Sequence, residues 1–147
     1  MSAVKEKKIA ALAAVKYVTS GMTIGLGTGS TAFFMIEAIG DMVQSGMEIK
    51  AVATSVETEK LAKERGIEVI TLAEAKRLDV TIDGADEVDE NFQLIKGGGG
   101  ALLREKIVAH NSDCNIIIVS SYMSIFFKFS IRGFTMNLSA ITTFPRW

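Results

Sequence analysis

The apolar positions of the first 119 residues recur at two spacings, one helical and one extended. Over residues 3–19, Ile9, Leu12, Ala13 and Lys16/Tyr17 fall at helical distances, behind an exposed basic face of Lys5, Lys7 and Lys8. Thr23 to Leu26 is a short β-prone run ending in glycines, and Ser30 or Thr31 is placed to cap a following helix that carries Phe34, Ile36 and Ile39. The pattern then predicts a strand from Ile49 to Ala53, a charged surface helix from Val56 to Arg65 stopped by Gly66, and a strand from Ile67 to Ile70. A short helix over 72–77, a strand from Val80 to Ile82, a helix from Ala101 to Ala109 and a strand from Ile116 to Val119 complete the series. Strands alternating with helices predict an α/β fold with a parallel sheet covered on both faces. In such sheets ligands bind outside the carboxyl ends of the strands. The unusual residues fall there: Gly27 to Thr31 after the first strand, and Asp83 to Glu87 after the fourth.

Composition divides the chain in two. Residues 1–110 hold 13 basic and 16 acidic groups with four aromatics, whereas residues 111–147 hold three basic groups, one acidic group and seven aromatics. The net charge of -1 gives no electrostatic reason to expect nucleic acid or an acidic membrane surface as a partner. At 48% hydrophobic and 22% charged residues, the chain is not of a disordered or collagen-like class. A single cysteine, Cys114, cannot close an internal bridge, so nothing points to secretion and a cytoplasmic location is expected. Lys16 interrupts the apolar run after the N-terminal lysines, which argues against a signal peptide. The uncharged segment from Cys114 to Phe127 is shorter than the roughly 20 residues a membrane helix needs, so a buried strand plus loop is expected.

Three constellations carry chemistry. Gly25-Leu26-Gly27-Thr28-Gly29-Ser30-Thr31 offers backbone N–H groups, hydroxyls and a helix N-terminus to a phosphate. It has neither the lysine of a Walker A loop nor the spacing of a dinucleotide fingerprint, so a small phosphorylated ligand fits better than a nucleotide. The plain alternative is a tight strand-to-helix turn. Asp83-Gly84-Ala85-Asp86-Glu87 sets two carboxylates three residues apart, suited to hydroxyl binding or proton transfer; with His110 as the sole histidine, metal binding is disfavoured. A solvated acidic loop running on through Asp89 and Glu90 is the alternative. Lys96-Gly97-Gly98-Gly99-Gly100 brings a point charge and a backbone that a ligand can approach closely, ahead of a helix with Arg104, Glu105 and Lys106. It also fits a plain flexible loop, and Glu105 a plain surface charge. His110 reads as a helix C-terminal charge and Cys114 as structural.

Taken together, Gly-Leu-Gly-Thr-Gly-Ser-Thr (25–31), Thr54-Ser55, Asp-Gly-Ala-Asp-Glu (83–87) and Lys-Gly-Gly-Gly-Gly-Ala-Leu-Leu-Arg-Glu-Lys (96–106) closely resemble the ribose-5-phosphate isomerase A family, over roughly residues 3 to 119. The resemblance implies a Rossmann-like fold and interconversion of ribose 5-phosphate and ribulose 5-phosphate through an enediolate, within the pentose phosphate pathway and without a metal or organic cofactor. It implies that Thr28, Gly29, Ser30 and Thr31, with Lys7, hold the phosphate. Glu105 would be the base moving a proton between C2 and C1, Asp83 and Asp86 would assist ring opening and hydroxyl binding, and Lys96 would stabilise the enediolate. Gly84, Ala85, Gly97, Gly98 and Gly99 would complete the substrate site. Complete family members are expected to be homo-oligomers acting on a small sugar phosphate, with no nucleic-acid or membrane partner. Related folds also serve as non-catalytic sugar-phosphate sensors; that alternative would be expected to show a helix-turn-helix or basic patch ahead of the domain, so the isomerase reading is preferred.

The resemblance ends near residue 119. Family members continue into an Asp/Glu-Ser-Lys segment whose lysine also contacts phosphate; here Ser120-Ser121-Tyr122-Met123 follows, with Met123 about where that lysine belongs. The expectation is an incomplete Rossmann-like isomerase domain over 1–119, truncated before the family's C-terminal lid and joined to a divergent tail over 120–147. The alternative is an inactive truncated fragment.

Overall fold

A computed structural model of the chain describes residues 2–88, 94–96, 98–120, 124–130 and 139–142. In chain order these form α1 (Ala3–Val15), β1 (Thr23–Leu26), α2 (Ser30–Gln44), β2 (Lys50–Ala53), α3 (Val56–Glu64), β3 (Glu68–Val69), α4 (Leu72–Ala75) and β4 (Leu78–Gly84). There follow β5 (Glu87–Val88), β6 (Leu94–Ile95), α5 (Leu102–His110), β7 (Ser112–Ser120), β8 (Ser124–Ser130) and β9 (Ser139–Thr142).

The main sheet has the order β3-β2-β1-β4-β7-β8-β9, and its first five strands are parallel. The chain builds outward from β1 to β2 and β3 on one side, then crosses to β4 and β7 on the other. The order therefore reverses between β1 and β4, which leaves a crevice at their carboxyl ends. β8 pairs antiparallel with β7 and β9 with β8, so beyond β7 the sheet is extended by β8, running against the five parallel strands, and by β9, running with them. The uncharged stretch expected to be a strand plus loop contributes to both β7 and β8. The short antiparallel pair β5–β6 stands apart from this sheet.

The core lies between the sheet and α1 and α2. Ile24, Leu26, Ile82, Ile116 and Ile118 from the strands meet Met35, Ile36 and Ile39 of α2, all fully or nearly fully buried. Burial of each such side chain stabilises the fold by about 1.5–3 kcal/mol. One expectation fails in α1. Its buried face is Ala10, Ala11, Ala14 and Val15, while Leu12 is 42% exposed. Small side chains let α1 lie close against α2 and the sheet at β7, and that close approach decides the face where the larger residues alone would have pointed elsewhere. No helix among the described residues is long and apolar enough to cross a membrane.

Candidate active site

The crevice between β1 and β4 is built around a glycine. A Cβ on Gly27, just past β1, would lie 2.1 Å from Asp83 Oδ1 and 2.5 Å from Asp83 Cα, so only glycine lets the β1 loop pass over the end of β4. Asp83 is thereby buried to 3% exposure. Its carboxylate is fully engaged: Oδ1 accepts from the Thr28 N–H (3.2 Å) and the Gly84 N–H (2.8 Å), and Oδ2 accepts from Lys96 Nζ (3.0 Å). Lys96 also donates to the Gly84 carbonyl, which holds its ammonium over the end of β4.

Beyond Lys96, on the first turn of α5, stands Glu105. It is 7% exposed, with Oε2 3.8 Å from Lys96 Nζ and without a hydrogen-bond partner among the described residues. Burial raises its carboxyl above the ordinary value of 4.5; the neighbouring Asp83 carboxylate pushes the same way, and Lys96 opposes both in part. The two carboxylates and one ammonium thus form a compact buried cluster with one unsatisfied acceptor. An unsatisfied buried oxygen costs on the order of 1–3 kcal/mol, the kind of cost that persists at functional sites.

The other end of the crevice is the N-terminus of α2. Neither Ser30 nor Thr31 caps it: the cap position is Gly29, at φ 106°, with no side-chain capping bond. The left-handed backbone at Gly29 turns the chain directly into the helix and leaves the first-turn N–H groups uncovered, as an anion site requires. Ser30 instead accepts a hydrogen bond from Lys7 Nζ at 2.8 Å, across from α1. With its oxygen occupied by that donor, the Ser30 hydroxyl proton remains to be given to a ligand.

A cavity of about 240 Å³ joins the two ends. Of the residues expected at the site, Lys7, Thr28, Gly29, Ser30, Thr31, Gly84, Ala85, Asp86, Lys96, Gly99 and Glu105 line it. Asp86, exposed at the rim, accepts from the Gly98 N–H at 2.8 Å, which ties the glycine run to the acidic loop. Gly97, Asp89, Glu90 and Met123 lie outside the described residues. Larger hollows of about 450 Å³ and 620 Å³ open beside α5 and beneath the amino ends of β1 and β2, but neither contains a buried ionisable group. Arg104 faces the first of these, with its guanidinium 3.4 Å from the Ala53 carbonyl, so neighbouring Arg104 and Glu105 serve different surfaces. Among the described residues no three His, Cys, Asp or Glu side chains gather as metal ligands.

Sequence reasoning gave no role to Thr54 and Ser55 and missed Thr58. All three are buried, and all three contact the Thr28 hydroxyl, at 2.7, 2.9 and 3.3 Å respectively. The partners lie 26 to 30 residues from Thr28, beyond the reach of any local motif.

The chain is similar to known proteins over most of its length. A family model described as ribose 5-phosphate isomerase A (phosphoriboisomerase A) matches residues 50–125. The ribose-5-phosphate isomerase A of Listeria innocua is 53% identical over 116 residues, covering 79% of this chain and 52% of that protein. That of Maricaulis maris is 49% identical over 119 residues, with 81% and 51% covered. Among solved structures, a D-ribose-5-phosphate isomerase in complex with phospho-erythronic acid aligns with a TM-score of 0.77 at 42% identity, over 80% of this chain and 52% of the other. Ribose 5-phosphate isomerase from Plasmodium falciparum aligns with a TM-score of 0.74 at 50% identity, over 78% and 50%. The chain spans about half the length of the curated relatives it matches.

Proposed function

Since the chain belongs to the ribose 5-phosphate isomerase A family, we propose that its cavity takes ribose 5-phosphate and interconverts it with ribulose 5-phosphate. The observation that carries this reading is Glu105: a buried carboxylate with an unpartnered oxygen beside Lys96, in the same cavity as the uncapped N-terminus of α2. A relative of known structure holds phospho-erythronic acid, a phosphorylated sugar acid of the kind that two such ends would suit.

In this mechanism Lys7, Ser30, Thr31 and the first-turn N–H groups of α2 hold the phosphate and anchor the open-chain sugar. Opening of the ring moves a proton from the O1 hydroxyl to the ring oxygen; Asp86 at the cavity rim accepts a hydrogen bond from a sugar hydroxyl, and Asp83, whose carboxylate already holds Thr28, Gly84 and Lys96, assists by fixing Lys96 beside the site. Glu105 removes the proton from C2. The C2–H electron pair forms the C1–C2 double bond, and the carbonyl π pair moves onto O1 to give an enediolate. Lys96 lies where it can stabilise that oxygen charge, the largest single term in many such reactions. The hydroxyl proton at O2 passes to O1, and protonated Glu105 returns its proton to C1, leaving a carbonyl at C2. One carbon is oxidised as its neighbour is reduced, so the reaction consumes no external oxidant or reductant. The raised carboxyl of Glu105 brings the base closer to the pH at which it works, which improves proton transfer in both directions.

The test is turnover of ribose 5-phosphate by the purified chain, followed by formation of the ketose. Glu105→Gln is expected to lower the rate by about 10²–10⁴-fold. Normal turnover in that variant would refute the base assignment. Ribose 5-phosphate that protects the unaltered protein against heat without being converted would favour a sensor over an enzyme.

A further inference from the structure

The hydroxyls around Thr28 can be assigned by counting protons. Thr54 Oγ1 donates to the Leu26 carbonyl at 2.8 Å, and Thr58 Oγ1 donates to the Gly27 carbonyl at 2.9 Å. A carbonyl offers no proton, so both donations are fixed in direction and both hydroxyls have spent their single proton. Ser55 Oγ, which accepts from the Thr58 N–H at 3.1 Å, must then donate to Thr58 Oγ1 at 3.0 Å. Thr54, Ser55 and Thr58 therefore have nothing left to give Thr28. The Thr28 hydroxyl proton has three acceptors inside the protein, Thr54 at 2.7 Å, Ser55 at 2.9 Å and Thr58 at 3.3 Å. What Thr28 presents to the cavity is at most a lone pair.

A phosphate dianion accepts hydrogen bonds and does not donate them. A hydroxyl whose proton is turned inward is a poor partner for it, in contrast to Ser30, whose oxygen is filled by Lys7 and whose proton is available. Thr28 is also the residue whose N–H binds Asp83 Oδ1. It therefore bridges two sides of the crevice, the hydroxyl cluster under β2 and the buried carboxylate on β4. The same cluster grips the Leu26 and Gly27 carbonyls, so three consecutive residues of the β1 loop are pinned.

We infer that Thr28, held by Thr54, Ser55 and Thr58, is a positioning residue that sets Asp83 and the loop for the chemical step, and that its hydroxyl is not a ligand of the substrate phosphate. The rate effects rest on the isomerase reading. Thr28→Val keeps the shape and removes the hydroxyl. It is expected to lower kcat by about 10- to 100-fold, the scale of an ångström-level misplacement, while KM and inhibition by inorganic phosphate stay within about twofold. Thr28→Ser restores kcat. Thr54→Val lowers kcat in the same way, and the double variant loses little beyond the worse single one, because the two act as a unit. Weakened phosphate inhibition with kcat retained would make Thr28 a phosphate ligand and overturn the inference, as would independent, additive losses.

A second measurement does not need turnover. Amide hydrogen exchange at Thr28 and Gly84, the two N–H groups on Asp83 Oδ1, is expected to accelerate about tenfold or more in both Thr28→Val and Thr54→Val, while exchange in the core of β4 is unchanged. Unchanged exchange at both amides would overturn the positioning role. Absence of turnover in the unaltered protein would instead refute the isomerase reading, and the exchange data alone would then decide the role of Thr28.

Discussion

The two ends of the cavity are made of different materials. At the α2 end the groups are backbone N–H, hydroxyl and one half-exposed lysine, with no carboxylate among Lys7, Gly29, Ser30 and Thr31. At the β4 end, two carboxylates and one ammonium are packed together and nearly withdrawn from water. In the proposed reading the first end would bind by adding modest contributions from several donors. The second depends on a balance, in which each charge is tolerable only because the others are present. Loss of one group at the α2 end should therefore be graded and visible in binding, whereas loss of one at the β4 end should be severe and visible in turnover.

The sharpest way to break this contrast is Lys96→Met. It removes the cation that pairs with Asp83 at 3.0 Å and faces Glu105 at 3.8 Å, leaving two buried carboxylates without a counter-charge. In the proposed mechanism the enediolate would also lose the positive group assigned to it. The expected fall in kcat is about 10²–10³-fold, with a much smaller change in KM. Lys96 lowers the Glu105 carboxyl against burial, so its loss moves that carboxyl further up. The acid limb of the rate profile, which lies above 4.5 in the unaltered protein, should then shift to higher pH. A limb that stays in place would separate Lys96 from Glu105 electrostatically and dissolve the cluster into independent parts.

At the other end, Lys7→Ala removes one cation and the donor that occupies the Ser30 oxygen. A hydrogen bond to a charged group contributes about 1.5–3 kcal/mol, so KM should rise by about 10- to 100-fold while kcat stays nearly constant. A loss confined to kcat would place Lys7 with the chemistry and erase the distinction between the ends.

The sequence announces the β4 end better than the α2 end, and the reason is physical. Asp83 and Lys96 stand in glycine-marked surroundings that single them out, whereas Glu105 alone reads as a surface charge and takes its expected role from the family resemblance. The alternation of apolar runs also places β1, β4 and α5 correctly to within about two residues, the usual uncertainty at element ends. What was illegible depends on neighbours distant in the chain. Ser30 looks like a cap, but a left-handed Gly29 takes the cap position and Lys7 takes the hydroxyl. Thr58 looks like an ordinary helix residue. It meets Gly27 because β1 and β2 pair with Leu26 beside Ala53, a register that no local spacing records. The face of α1 was misjudged likewise, since hydrophobic periodicity weighs apolarity and close helix packing selects for smallness.

The smallest effect tests whether the β4 end is held together at a cost. Burial raises the Glu105 carboxyl above 4.5, so the folded chain binds this proton more tightly than the unfolded chain does. Below pH 4.5 both states are protonated and the group imposes no penalty. As pH rises through the raised folded value, the unfolded chain gives up its proton more readily, and the folded state loses relative stability; above that value the deficit is constant. Glutamine does not ionise. Glu105→Gln should therefore melt a few degrees above the unaltered protein at pH 7, with the two curves converging at pH 4, even as turnover is lost. Such a gain on removing the base would show that the carboxylate is kept in place for catalysis against the preference of the fold. A variant that melts lower at pH 7 than the unaltered protein would reverse the sign, and would mean that Lys96 outweighs burial at Glu105.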